Sequence, residues 1–92
     1  MRIVGETEKE GIKITLFQMN GKISVKLEKN LLEQTYKFRD GSSINNPDDA
    51  YKLLDNDFIR AAVDIFAKMS ENRTVGLEKM LSQTLEDFEE II

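Results

Sequence analysis

The sequence predicts an α+β fold: an antiparallel meander sheet of three to four N-terminal strands, packed on one face by two (with a break, three) C-terminal helices. Apolar and polar residues alternate through much of positions 12–39, as in half-buried strands. Asn20-Gly21 lies between two alternating runs, and this pair is a strong hairpin signal because both central residues of a type I′ turn need positive φ. Apolar residues recur at helical spacing after Pro47. Strands followed by helices are typical of α+β domains.

The predicted strands lie at about 2–7, 12–19, 22–28 and 31–39. The first is a short edge strand whose pairing the sequence leaves open. Glu8 to Gly11 forms the first turn, with Gly11 able to adopt positive φ. Lys29-Asn30 is the predicted third turn, since Asn tolerates the left-handed conformation.

The two better defined turns agree on one buried face. A loop at Asn20-Gly21 pairs Leu16 with Val25, and a loop at Lys29-Asn30 pairs Val25 with Gln34. Both place the same apolar residues on one side, which we expect to be the core: Ile12, Ile14, Leu16, Ile23, Val25, Leu27, Leu32, Tyr36 and Phe38.

The opposite face of the sheet is polar and leans basic, as expected for a sheet with one solvated side. Phe17 and Met19 are apolar exceptions beside the Asn-Gly turn. Apolar groups surrounded by lysine can anchor a protein contact. The candidate interaction surface on this face therefore comprises Phe17, Met19, Lys22, Lys26 and Lys37.

The helical region begins at Asn46-Pro47-Asp48-Asp49, where Asn caps the helix and Pro takes its first position. The predicted helix covers about 47–69, either as one helix or with a break at 55–57, and poor helix formers favour the break. Ser70 to Arg73 is predicted to link to a last helix at about 75–91. We expect the apolar stripe of that helix to pack on the sheet.

The last helix offers a second candidate interaction surface, formed by Phe88, Ile91 and Ile92. Its stripe has heptad-like spacing over about two heptads, which is short for an independent coiled coil. Exposed, these residues would favour self-association or docking of a partner.

The 92 residues predict a single domain over 1–92. The absence of Cys and His excludes disulfides, cysteine zinc sites and thiol nucleophiles, and removes the commonest general base. Asp55-Asn56-Asp57 does not fit a calcium loop, because the required Gly and Glu positions hold Arg60 and Phe66. With no catalytic motif, we expect no enzyme activity, no cofactor and no metal. No run is long enough for a membrane span, and no signal peptide is evident, so we expect a cytoplasmic protein.

Three functional hypotheses follow. The first is a non-catalytic protein-interaction or accessory module, which binds an unidentified protein or itself through the outer sheet face or the terminal helix. The alternative is weak nucleic-acid binding on the basic sheet face, against which the net charge of −4 and the pI near 4.8 argue. The minor alternative is an enzyme that uses carboxylates for acid and base chemistry.

Overall fold

The computed structural model describes residues 1–39 and 41–91, with side chains as far as Gln83 in the terminal helix. Four strands form one antiparallel sheet in the order β1-β2-β3-β4: β1 Arg2–Lys9, β2 Ile12–Met19, β3 Lys22–Lys29 and β4 Leu32–Lys37. Two helices follow, α1 Pro47–Leu53 and α2 Asn56–Ile91. The protein has the predicted α+β fold.

The described sheet contains three two-residue hairpin turns, each with positive φ at both positions. Asn20 (φ 53°) and Gly21 (φ 76°) form the predicted type I′ turn, and Leu16 pairs with Val25 as expected. The first turn is Glu10-Gly11, so β1 extends two residues beyond its predicted end.

The third turn differs from the prediction. It is formed by Asn30 (φ 51°) and Leu31 (φ 65°) instead of Lys29-Asn30, and Val25 pairs with Tyr36 where Gln34 was expected. The pairing is thus shifted by two residues, which leaves every side chain on its predicted face because the period of a strand is two. Sequence reasoning passed over this turn because Leu is rarely found at positive φ.

Helices α1 and α2 cover the predicted apolar face. The six core residues of β2 and β3 are fully buried, whereas Leu32, Tyr36 and Phe38 are partly buried against them. The helices contribute Ala50, Leu54, Ile59, Ala62 and Phe66. At ~1.5–3 kcal/mol for each buried large aliphatic side chain, this cluster is the main source of stability.

The predicted helix break is present, at the corner between α1 and α2. Asn46 Oδ1 accepts a hydrogen bond from the Asp49 amide (2.9 Å) at the start of α1. After the buried Leu54, Asp55 Oδ1 accepts from the Phe58 amide (2.8 Å) and caps α2. A second capped helix therefore starts where the acidic and amide residues interrupt the apolar pattern.

Close approach of α1 to the edge strand depends on a glycine. The pairing of β1 with β2 shifts between Ile3 and Gly5, which is a bulge. A Cβ at Gly5 would collide with Tyr51 Oη and would lie 3.1 Å from Leu16 Cδ1. The missing Cβ at Gly5 thus lets the hydroxyl end of Tyr51 lie directly against the backbone of β1.

Helix α2 is continuous over 36 residues, so the predicted link at 70–73 and the separate helix at 75–91 are wrong. At 1.5 Å per residue the helix is ~54 Å long, and the whole molecule measures 61 × 28 × 20 Å. The helix continues through 70–73 and also through Thr74 and Gly76, although the last two are weak helix formers.

Candidate functional site

The structure brings the predicted sheet-face residues together on the outer sheet face, defined here as the strand residues that point away from the core. Phe17 pairs with Ile3 on one side and with Ser24 on the other, and Met19 pairs with Lys22. Ile3 and Met19 are about half exposed, whereas Phe17 is partly buried. The apolar cluster is therefore real but small.

Lys26 lies over the aromatic member of this cluster. Its Nζ is 5.2 Å from the centroid of the Phe17 ring, a cation–π distance. The same Nζ forms an ion pair with Glu28 (3.2 Å) and a longer one with Glu33 (3.9 Å). Lys26 thus covers the Phe17 ring, and two carboxylates neutralise the lysine. Both the ring and the ammonium group are therefore less accessible to a ligand.

The outer sheet face is balanced in charge, not basic. Strand β1 contributes Glu6 and Glu8, which lie opposite Thr15 and Lys13. Within the four described strands, this face carries four lysines (Lys13, Lys22, Lys26, Lys37) and four glutamates (Glu6, Glu8, Glu28, Glu33). Residues 12–39 alone place more basic than acidic side chains on this face, and Glu6 and Glu8 of the edge strand offset most of that excess.

The second predicted surface cannot be compared with the first. The side chains of Phe88 and Ile91, and the whole of Ile92, lie outside the described residues. The part of α2 that precedes them is described, and it forms the more informative surface.

Helix α2 leaves the sheet at the β3–β4 turn. There Arg73 Nη1 donates a hydrogen bond to the carbonyl oxygen of Asn30 (3.1 Å). Every residue from 71 to 83, the distal segment, is exposed. By contrast, residues 56–70, the proximal segment, include three side chains that are at least 97% buried.

The distal segment repeats the apolar face of the proximal segment. Leu77, Met80 and Leu81 follow Ile59, Ala62 and Val63 at a spacing of 18 residues, which is five full helical turns. The two triplets therefore project from the same side of the helix. Ile59 is 2% exposed on the sheet, but its counterpart Leu77 is 56% exposed and Leu81 66%.

Leu31, at the tip of the β3–β4 turn, is fully exposed and also adopts positive φ (65°). Its neighbour Asn30 accepts the hydrogen bond from Arg73, so this leucine lies at the point where α2 leaves the sheet. An apolar side chain here gains nothing from burial in the isolated chain, and its backbone is strained.

Sequence reasoning missed both features. It predicted an apolar stripe that begins with Leu77, Met80 and Leu81, but it expected the sheet to cover that stripe, which is wrong for residues 71–83. Element length was the usable signal: strands of eight residues span ~26 Å, about half the length of a helix that runs through 70–73.

One groove on the described part of the chain, of about 640 Å³, is lined by Lys9, Glu10, Asn56, Ile59, Arg60 and Val63. Lys9 Nζ already donates to the carbonyl oxygen of Leu54 (3.0 Å). In the described part of the chain no three residues of the types that ligate metals through acid, imidazole or thiol groups cluster together.

No helix within the described ranges has both the length and the apolar composition needed to cross a membrane. The chain matches no protein family, and neither curated proteins nor solved structures contain a significant match to it.

Proposed function

We propose that this protein is a non-catalytic interaction module and that its docking surface is the distal segment of α2. One observation carries this proposal: the apolar face that the proximal segment buries on the sheet is repeated five turns later, where residues 71–83 are exposed. A helix of this length usually depends on packing of its apolar face for stability. Partner binding would supply that packing.

The outer sheet face supports the proposal less well. Its apolar cluster is partly covered by Lys26, and its charges balance, so it offers neither a large apolar anchor nor a positive groove. Balanced charge likewise gives little support for nucleic-acid binding, which needs an excess of positive charge along the strand. We therefore rank the helix above the sheet.

Site-specific photo-crosslinking tests the proposal. A photoreactive residue is introduced at Leu77, and as a matched control at Val75, which is equally exposed (56%) but lies on the other side of the helix. We expect crosslinked protein products from position 77 in cells that produce the chain, and few from position 75. Equal yields at the two positions, or none at either, would contradict a docking face.

A cytoplasmic location remains part of the proposal and rests on the ordinary, cysteine-free composition. Fractionation of the same cells tests it: the chain should appear with the cytoplasmic markers.

A further inference from the structure

We infer that the distal segment binds a second copy of this chain, so that two α2 helices pair antiparallel and each copy's Leu31 contacts the other copy's helix. The inference rests on the proposed function and adds the identity and the orientation of the partner. Three observations support it: the direction of the apolar face, the charges of the segment and the position of Leu31.

The direction of the face excludes a parallel pair. Because Leu77 and Leu81 project from the same side of α2 as the residues that pack on the sheet, a docked helix must lie on the sheet's side of α2. A parallel partner in that position would bring its own proximal segment, with the sheet attached, into the space that the first sheet occupies. An antiparallel partner places its sheet at the far end of the pair.

The charges of the segment suit a copy of itself. Residues 71–83 carry Glu71, Arg73, Glu78 and Lys79, two acids and two bases, so two such segments do not repel each other. The sequence of 84–92 then adds four acidic residues. A parallel pair would bring eight like charges together, whereas an antiparallel pair brings each acidic stretch to the partner's Arg73 region.

Leu31 supplies an independent reason for a contact at this point. A helix that lies on the face of Leu77 and runs back along α2 meets the β3–β4 turn, where Arg73 is hydrogen-bonded to Asn30. The exposed leucine is in a conformation that Gly or Asn adopts more readily. Burial against the partner's helix would give this strained, exposed side chain a function.

The length of the distal segment sets the expected strength. Residues 71–83 span ~20 Å of the helix, which places the pairing at the small end of protein interfaces even with Leu31 included. We therefore expect a reversible dimer whose population depends on concentration.

Sedimentation velocity across a concentration series tests the dimer, with three variants. Leu77→Glu should raise the dissociation constant by about tenfold or more, because it places a charge in an apolar contact. Val75→Glu adds the same charge at an equally exposed site on the other side of the helix and should leave it unchanged. Leu31→Gly should weaken the dimer but raise the melting temperature of dilute protein, because it creates an Asn-Gly turn.

Orientation can be measured with spin labels, since the chain has no cysteine and each single Cys variant carries one label per copy. Labels are placed at the exposed positions Asn72 and Gln83. In an antiparallel pair the distance between labels on the two copies changes by ~3 Å per residue along the helix, whereas in a parallel pair it stays constant. Because each acidic stretch lies beside the partner's Arg73, the proposed pair is centred near residue 80, and we therefore expect the Asn72 distance to be clearly the longer.

The outcomes separate this inference from the proposed function. A monomer at every concentration whose position 77 still crosslinks to another protein overturns the dimer and keeps the interaction module. If Leu77→Glu does not weaken the dimer, the proposed helix pairing is wrong. If, in addition, position 77 crosslinks no better than position 75, the proposed interaction module is wrong as well. Equal label distances overturn the antiparallel arrangement, and an unchanged Leu31→Gly dimer overturns the contact at the turn.

Discussion

The proximal and distal segments of α2 share one apolar face, but only the proximal segment has a sheet beneath it. Ile59 and Leu77 occupy equivalent positions five turns apart, yet one is buried and the other is more than half exposed. The difference shows that amphipathic periodicity identifies which side of a helix needs a partner. It does not identify where that partner comes from.

The two segments of α2 also contribute differently to the free energy of unfolding. In the proximal segment, burial of Ile59, Ala62 and Phe66 stabilises the fold directly. In the distal segment the same kind of residue adds little until something covers it. The largest effects of mutation on the stability of α2 should therefore fall before residue 71.

The largest contrast is expected between Phe66→Ala and Leu77→Ala. Phe66 is 3% exposed, and its truncation should lower the free energy of unfolding by about 3–5 kcal/mol. Leu77→Ala should change it by less than about 0.5 kcal/mol, as for other surface substitutions. Urea denaturation of dilute protein, where copies do not associate, measures both. A similar loss for the two variants would mean that the distal segment is packed in the single chain.

A smaller effect is expected from the polar link between sheet and helix. Gln34 is buried; its Nε2 donates to the Ala62 carbonyl oxygen (3.0 Å), and its Oε1 accepts from the Tyr36 hydroxyl (2.7 Å). Gln34→Met keeps the volume but leaves that hydroxyl without its acceptor, which should cost about 1–3 kcal/mol.

The control for this variant is Gln83→Met in the exposed distal segment, which should be neutral within about 0.5 kcal/mol. Thermal and urea unfolding of the pair give the comparison. If both variants lose stability equally, burial does not explain why the contact of Gln34 with the proximal segment matters more than the exposed Gln83 of the distal segment.

The smallest effect concerns the backbone of the helix. Apart from its chain neighbours and the helix's own backbone, no atom lies within 4 Å of a Cβ built at Gly76, so Gly76→Ala should add about 1 kcal/mol or less of helix stability without a clash. Ala61→Gly, at an exposed site in the proximal segment, should remove a similar amount. Circular dichroism during urea unfolding measures both.

The Gly76→Ala variant also tests whether the distal segment unfolds together with the sheet. A higher unfolding midpoint means that the distal segment melts together with the sheet. Greater ellipticity at an unchanged midpoint means that it melts as a separate unit. No change in either quantity would contradict a helical distal segment in the single chain.

The sequence predicted the features that depend on local pattern. The Asn20-Gly21 turn and its register are confirmed, and the buried face of β2 and β3 follows from them by alternation. The break before Asn56 was also recognisable, because Asp55 is a good cap and a poor helix former.

The features it did not predict depend on tertiary geometry. Leu31 adopts a positive φ that leucine rarely shows, and nothing in the sequence indicates that position 31 would do so. The need for glycine at position 5 arises from Tyr51, which is distant in the chain. The exposed distal segment could be inferred only by comparing the length of α2 with that of the strands.

The three hairpin turns have a consequence for the order in which the protein folds. Each strand pairs with its neighbour in the chain through a two-residue loop, so every strand pairing in the sheet is local in sequence. Low contact order of this kind favours rapid folding, because little loop entropy is lost before pairing begins. The sheet can therefore assemble hairpin by hairpin before the helices beyond Lys37 have packed on it. The long-range step is the arrival of α1 and the proximal segment of α2 on a surface that has already formed.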